Sequence, residues 1–150
     1  MKKIFLATSF SGQVDETTGQ VLPGFRQFIT QILEGLRSNE LEVYAAIEHE
    51  GWMIAADVPP EVGVQKDLDE IDATDTTVAL VQDKPSVGLQ FELGYAVGKG
   101  KKVILACAAG EELAYFNKGA AGAGLVTVVS YDDVASLVNQ LAIAINAPAE

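Results

Sequence analysis

The sequence predicts an α/β fold: a three-layer, flavodoxin-like sandwich with a five-stranded parallel sheet. Three observations predict it. Segments of strand type alternate with segments of helical period along the chain. The strand segments are almost wholly apolar, as strands covered on both faces must be. Five such units account for the 150 residues, a length suited to one core and read here as one domain over 1–150.

The elements follow in order. Lys3-Ile4-Phe5-Leu6-Ala7 is a buried strand, and a polar, Gly-containing loop runs from Thr8 to about Leu22. Phe25, Phe28, Ile29, Ile32, Leu33 and Leu36 then recur at helical spacing. Leu41 to Ala46 reads as the second strand, and Ile47 to about Pro59 as irregular. A helix from Pro60 to Ala73 turns Val64, Leu68 and Ile71 inward. Thr76-Thr77-Val78-Ala79-Leu80-Val81, β-branched and uncharged, is the clearest strand. Asp83-Lys84-Pro85-Ser86-Val87-Gly88 turns into a helix over about Leu89 to Lys99. Lys102 to Ala106 is the fourth strand, Glu111 to Asn117 a short helix, and Leu125 to Val129 the fifth strand. The last helix, about Asp132 to Ile145, places Val134, Leu137, Val138, Leu141 and Ile145 inward, and Ala147 to Glu150 frays.

Composition removes several classes of function. A net charge of −11 opposes binding along a nucleic-acid polymer, which needs clustered Lys and Arg. One cysteine, Cys107, permits no internal disulfide, and one histidine, His49, no multi-histidine metal site within a chain. Neither a metal nor any other cofactor is expected. No apolar run approaches a membrane span, and Ile4 to Ala7 after Lys2-Lys3 is too short for a signal-peptide core. The expected compartment is the cytoplasm, with no membrane partner.

In parallel sheets of this kind ligands bind beyond the carboxyl ends of the strands, where strand order reverses. Three exits qualify: Thr8 to Gly12, Ile47 to Trp52, and Gln82 to Glu92. The third carries a turn, a hydroxyl and a glycine just before a helix, where free amides and the helix dipole favour an anion. Glu92 follows near the first turn, where the same dipole helps to keep a carboxylate ionised; acidic residues also stand there simply to stabilise helices.

Three pieces carry a family resemblance: Lys3 to Ala7 followed by Ser9-Phe10-Ser11, then Asp67-Leu68, then Pro85-Ser86-Val87-Gly88-Leu89-Gln90-Phe91-Glu92-Leu93-Gly94-Tyr95-Ala96 with Gly100-Lys101-Lys102-Val103-Ile104. Together they resemble the nucleoside 2-deoxyribosyltransferase superfamily, most closely its 2′-deoxynucleoside 5′-phosphate N-hydrolase branch. The resemblance implies Glu92 as the nucleophile that attacks the anomeric carbon, giving a glycosyl-enzyme ester as in retaining glycosidases. It implies Asp67 as the group that protonates or orients the leaving base, Ser86 as a phosphate contact, and Gly88 as a point of close backbone approach. Asp69 and Asp72 read as solvated helix charges, and Asp75 as the residue that begins the third strand. The resemblance further implies a nucleoside or nucleotide as the small-molecule ligand, and a homodimer or higher homo-oligomer that completes its pockets between subunits.

The sequence departs from the hydrolase branch twice. That branch carries an arginine after the first strand, where this chain has Ser9-Phe10-Ser11-Gly12. It also carries a serine near a late helix that reaches the neighbouring subunit's phosphate; the nearest counterpart here is Ala114, with Asn117 or Lys118 as substitutes. Hydrolysis of a nucleoside 5′-monophosphate leads the readings. Nucleoside hydrolysis, deoxyribosyl transfer between bases and a non-catalytic nucleotide-binding module stand beside it; a flavin protein does not, for want of a flavin signal. Ser9 and Phe10 join the candidate substrate-binding residues. So does His49, as a base contact or a hydrogen-bonded loop residue. Trp52 and Phe10 either stack on a base or pack in the core. Glu48 and Glu50 read as solvated loop charges, Cys107 as an inert buried thiol, and Tyr95 and Ala96 as packing residues.

Overall fold

The computed structural model describes residues 1–10, 12–54, 57–81 and 86–148. Ser11 of the first exit loop, Gln82 to Pro85 of the third, Ala55 and Ala56, and the tail Ala149-Glu150 lie outside the described residues.

The elements run β1 (Lys3–Thr8), α1 (Pro23–Arg37), β2 (Glu42–Tyr44), α2 (Ala46–His49), α3 (Pro60–Ala73), β3 (Thr76–Val81), α4 (Val87–Gly98), β4 (Lys102–Ala108), α5 (Tyr115–Gly122), β5 (Thr127–Tyr131) and α6 (Val134–Asn146). All five strands are parallel, in the order β2-β1-β3-β4-β5. This is the flavodoxin-like order expected, with its reversal at β1 and β3. β3 is buried at every position, which explains its uncharged sequence.

Side chains alternate across the sheet and feed two cores. Ile4 and Leu6 of β1 join Ile29, Ile32, Leu33 and Leu36 of α1 and Leu137, Leu141 and Ile145 of α6. Phe5 and Ala7 join Ile71 of α3 and Leu89, Leu93 and Ala96 of α4 on the opposite face. Gly35 lets α1 approach α6: a Cβ there would lie 2.7 Å from Val138 Cγ2. Pro23 fills the start of α1, where its missing N–H costs nothing. The Arg37 guanidinium at its end donates to both Glu48 carboxylate oxygens, at 2.9 and 2.6 Å, and to the Val43 carbonyl at 3.1 Å. Glu48 is therefore a clamp between α1 and α2, not a solvated loop charge.

Lysines at the opposite end of the sheet from the carboxyl-end strand exits bind helix C-termini, where carbonyls lack partners. Lys2 donates to the Ile145 carbonyl and Lys102 to that of Ala147, both at 2.8 Å. Lys101 donates to the carbonyls of Asp72 and Thr74, also at 2.8 Å.

Several boundaries differ from expectation. The segment after β2 forms the one-turn helix α2 instead of starting irregular. α5 begins at Tyr115, and the Glu111-Glu112 stretch precedes it, despite the glycines at 119 and 122 that discourage a helix. β5 starts at Thr127 because it pairs with β4 from Ile104↔Thr127 to Ala108↔Tyr131, so both strands extend past the apolar run. Val64 is 47% exposed rather than inward, since α3 presses only Ile71 fully into the core. No helix among the described residues is long and apolar enough to cross a membrane.

Candidate active site

Glu92 lies on α4 and Asp67 on α3, the two helices packed over the same sheet face. Both carboxyls line one cavity of about 300 Å³, with Val64, Leu68, Val87, Gly88 and Phe91 forming apolar walls. Both are half-buried, and each lies close enough to shift the other's ionisation. Burial in this apolar setting, then the charge and hydrogen bond of Asp67, push the Glu92 carboxyl up to about 8. Burial also raises Asp67, against the opposing effect of its hydrogen bond to Glu92. The pair behaves as one unit that holds a proton near neutrality.

This corrects the dipole argument from sequence. α4 begins at Val87, two residues earlier than its apolar period suggests, so Glu92 stands beyond the first turn. The helix terminus is screened from it, and desolvation beside a second carboxyl dominates.

Ser86 caps α4: its Oγ accepts a hydrogen bond from Leu89 N at 3.2 Å. The cap leaves the Ser86 O–H free to donate, and the next two residues, Val87 and Gly88, line the Glu92 cavity. A Cβ added at Gly88 would meet no protein atom within 4 Å, so the space above this glycine belongs to the cavity.

The second exit contributes residues that sequence reasoning passed over. Tyr44, the last residue of β2, stacks on Phe5 with ring centroids 5.8 Å apart and on His49 at 4.4 Å. Burial and the nearby carboxylates of Asp67, Glu70 and Glu50 push its hydroxyl up to about 12. Glu50 is exposed, as expected of a loop charge, and its carboxyl is raised by partial burial first and by Asp67 second, with Lys66 opposing. It lines a larger cleft of about 810 Å³ with Phe10, Asp15 and Asp57. The location of Tyr44 at a strand's carboxyl end was the available signal; nothing local in the sequence marks Glu50.

The remaining candidates divide. His49 stacks on Tyr44 and lines neither cavity. Phe10 lines the larger cleft while packing on the α1/α6 core. Ser9 is 2% exposed, and its hydroxyl has no hydrogen-bond partner among the described residues. Trp52 packs on the α1/α6 core, with the Arg26 guanidinium 5.2 Å above its ring, and does not line the Glu92 cavity. Asn117 is buried and accepts from Gln90 Nε2 at 3.1 Å. Within one chain it ties α5 to α4 and stands apart from the two carboxyls. Asp72 is not merely solvated: it accepts from the Tyr95 hydroxyl and Lys99. Asp75 precedes β3 and accepts from the Lys3 amide. Cys107 is buried, and its thiol is raised by that burial. Among the described residues no three His, Cys, Asp or Glu side chains are grouped to hold a metal ion.

The model of the nucleoside 2-deoxyribosyltransferase family matches residues 22–140. No curated protein matches the sequence. Among solved structures, the chain is similar to the CMP N-glycosidase BcmB of Clostridium botulinum, at 22% identity and a TM-score of 0.68, over 95% of this chain and 99% of that one. It is similar to BlsM at 26% identity and a TM-score of 0.78, over 99% and 96%. It is also similar to a 2-deoxyribosyltransferase of the psychrotolerant bacterium Bacillus psychrosaccharolyticus, at 20% identity and a TM-score of 0.66, over 91% and 90%.

Proposed function

The chain belongs to the nucleoside 2-deoxyribosyltransferase family, and from that premise we propose that it hydrolyses the base–sugar bond of a (deoxy)nucleoside 5′-monophosphate through a glycosyl ester on Glu92. One observation carries the reading: two coupled carboxyls, Glu92 and Asp67, line a single apolar cavity. As substrate seats, the shared proton settles on Asp67 and leaves Glu92 ionised. Glu92 Oε attacks C1′, the C1′–N bond breaks, and the proton from Asp67 goes to the leaving base. Water then attacks C1′, Asp67 takes its proton, and the C1′–Oε bond breaks to return free Glu92 and the sugar. The apolar walls favour proton transfer over charge separation before substrate binds.

The α4 N-terminus supports the phosphate assignment. The helix begins at Val87 with Ser86 as its cap, Val87 and Gly88 line the cavity, and amides of a first turn with a capping hydroxyl can hold one phosphate without a cationic side chain. A homodimer is supported by an apolar surface beside the cavity: Val87, Phe91, Tyr115 and Phe116 are 88, 58, 85 and 78% exposed.

Deoxyribosyl transfer is the second reading, favoured by the family match itself, since the same ester would pass to a base instead of water. A panel of nucleosides and nucleoside monophosphates, incubated with and without a second free base and resolved by chromatography, separates the two. We expect free base and sugar phosphate, with no new nucleoside. Glu92→Ala should reduce base release by at least about 10³-fold and Asp67→Asn by roughly 10²–10⁴-fold. Full activity in the Glu92→Ala protein would sink the assignment.

A further inference from the structure

The two edges of the sheet are finished differently. β2 closes one side with three residues, opens on Glu42, and has that glutamate 3.5 Å from the Lys3 ammonium. Short length and charge are what keep an edge strand from pairing with another chain. β5 closes the other side with five residues, Thr127-Val128-Val129-Ser130-Tyr131, which include neither a charge nor a proline. Around it Leu125, Val128 and Ile143 are 55, 40 and 65% exposed.

Successive residues of a strand turn their amides and carbonyls to opposite sides. The Tyr131 carbonyl faces β4, accepting from the Ala109 amide at 2.8 Å, so Val128 and Ser130 face outward. Gln140 of α6 agrees with that direction, since its Nε2 donates to the Ser130 carbonyl at 2.8 Å. The Val128 amide and carbonyl and the Ser130 amide have no backbone partner on this side among the described residues. Ile143 stands three residues after Gln140 and so shares its side of the helix.

Opposite charges stand at the two ends of this edge. At the amino end a cavity of about 390 Å³ is lined by Lys101, Lys102, Gly124 and Leu125, among others. Lys102 is bonded there to the neutral Ala147 carbonyl and has no carboxylate within 4 Å among the described residues. At the carboxyl end Asp132 and Asp133 are exposed. Asp133 caps α6, accepting from the Ser136 amide at 2.7 Å, while Asp132 has no cation within 4 Å among the described residues.

We propose that β5 pairs with the β5 of a second copy of this chain, antiparallel about a two-fold axis at Val128, joining two five-stranded sheets into one. In this register Val128 exchanges both of its hydrogen bonds with Val128 of the copy and leaves the Ser130 carbonyl to Gln140. Asp132 of each copy then lies beside Gly124 and Leu125 of the other, at the rim of the lysine-lined cavity. Each contact is made twice, as an isologous interface requires. In a chain of net charge −11 this uncharged edge lets two copies meet with unlike charges opposed. It is separate from the apolar surface beside the Glu92 cavity and independent of the catalytic reading.

The test uses the full chain. Hydrogen exchange at the Val128 and Ser130 amides is followed in concentrated and dilute protein, with particle mass measured by light scattering. The wild type should protect both amides when concentrated and lose that protection by at least about tenfold on dilution. Val128→Pro removes only an outward amide, so pairing with β4 survives, and it should halve the particle mass. Val128→Lys should halve the mass as well and leave the Ser130 amide in rapid exchange. Asp132→Lys should raise the dissociation constant by about fivefold, the worth of two exposed ion pairs. Rapid exchange of both amides in the wild type at every concentration, or a mass that neither variant at position 128 lowers, overturns the proposal.

Discussion

The two faces of the sheet spend their residues differently. On one, α1 buries Ile29, Ile32, Leu33 and Leu36 and meets α6 so closely that Gly35 has no room for a side chain beyond its Cα. On the other, α3 buries only Ile71 along its 14 residues and leaves Val64 exposed over a cavity. The first face is packed for stability, as interiors are. The second gives up burial to hold two carboxyls side by side, an arrangement that opposes folding once both are charged. A helix with few buried residues beside a carboxyl pair thus marks where stability was yielded to chemistry.

The largest expected effect separates the faces outright. Glu92 titrates near 8 in the folded chain, against 4.5 as its ordinary value. The folded state therefore holds the extra proton, and this contribution to stability is complete below about pH 4.5 and lost as pH rises through about 8. Glu92→Gln should abolish base release and yet melt higher than the wild type above pH 8, by about 1.4 kcal/mol for each pKa unit relieved. In the wild type, kcat/KM should fall about tenfold per pH unit above about 8, as the pair loses its proton. A Glu92→Gln protein less stable than wild type throughout pH 5–9 would show that the carboxyl pair holds the fold together.

The converse experiment lies across the sheet. Gly35→Ala gains about 1 kcal/mol of helix propensity but drives a Cβ into the β-branched Val138, an overpacking cost of about 1–3 kcal/mol. The net expectation is a melting temperature lower by roughly 2–4 °C per kcal/mol, with kcat/KM unchanged at 25 °C. A loss of activity without unfolding would mean the faces are coupled. Ser86→Ala is the smallest change. Loss of the α4 cap costs about 1 kcal/mol, and on the proposed reading KM for a monophosphate rises while KM for the corresponding nucleoside does not.

What could be read from sequence followed the same division. β3 and the apolar faces of α1 and α6 declare themselves because period and composition are local signals. The Pro-Ser-x-Gly-x-x-aromatic-Glu string brought out Glu92, and Asp67-Leu68 its partner. The ionisation state of that partnership was illegible, because desolvation and a second carboxyl from another helix are properties of the packed structure. Tyr44 and Glu50 stayed hidden for the same reason: their relation to Asp67 spans β2, α2 and α3. Glu48 looked solvated until Arg37, eleven residues earlier, was found holding it. Trp52 stood open between base stacking and core packing, and after the left-handed turn at Gly51 it packs on the α1/α6 core beneath Arg26.

The lysines that bind the helix C-termini have a consequence beyond the carbonyls they satisfy. With Lys2, Lys101 and Lys102 gathered at one end of the sheet and Asp15, Glu16, Glu50 and Asp57 lining the larger cleft at the other, the carboxyl end of the sheet carries a negative field in a chain of net charge −11. On the proposed reading, a doubly charged monophosphate approaches against that field. Ions in the medium shorten the reach of the repulsion, to about 10 Å at 0.1 M. Capture of a nucleotide should therefore quicken as salt is added, whereas capture of an uncharged nucleoside should not notice.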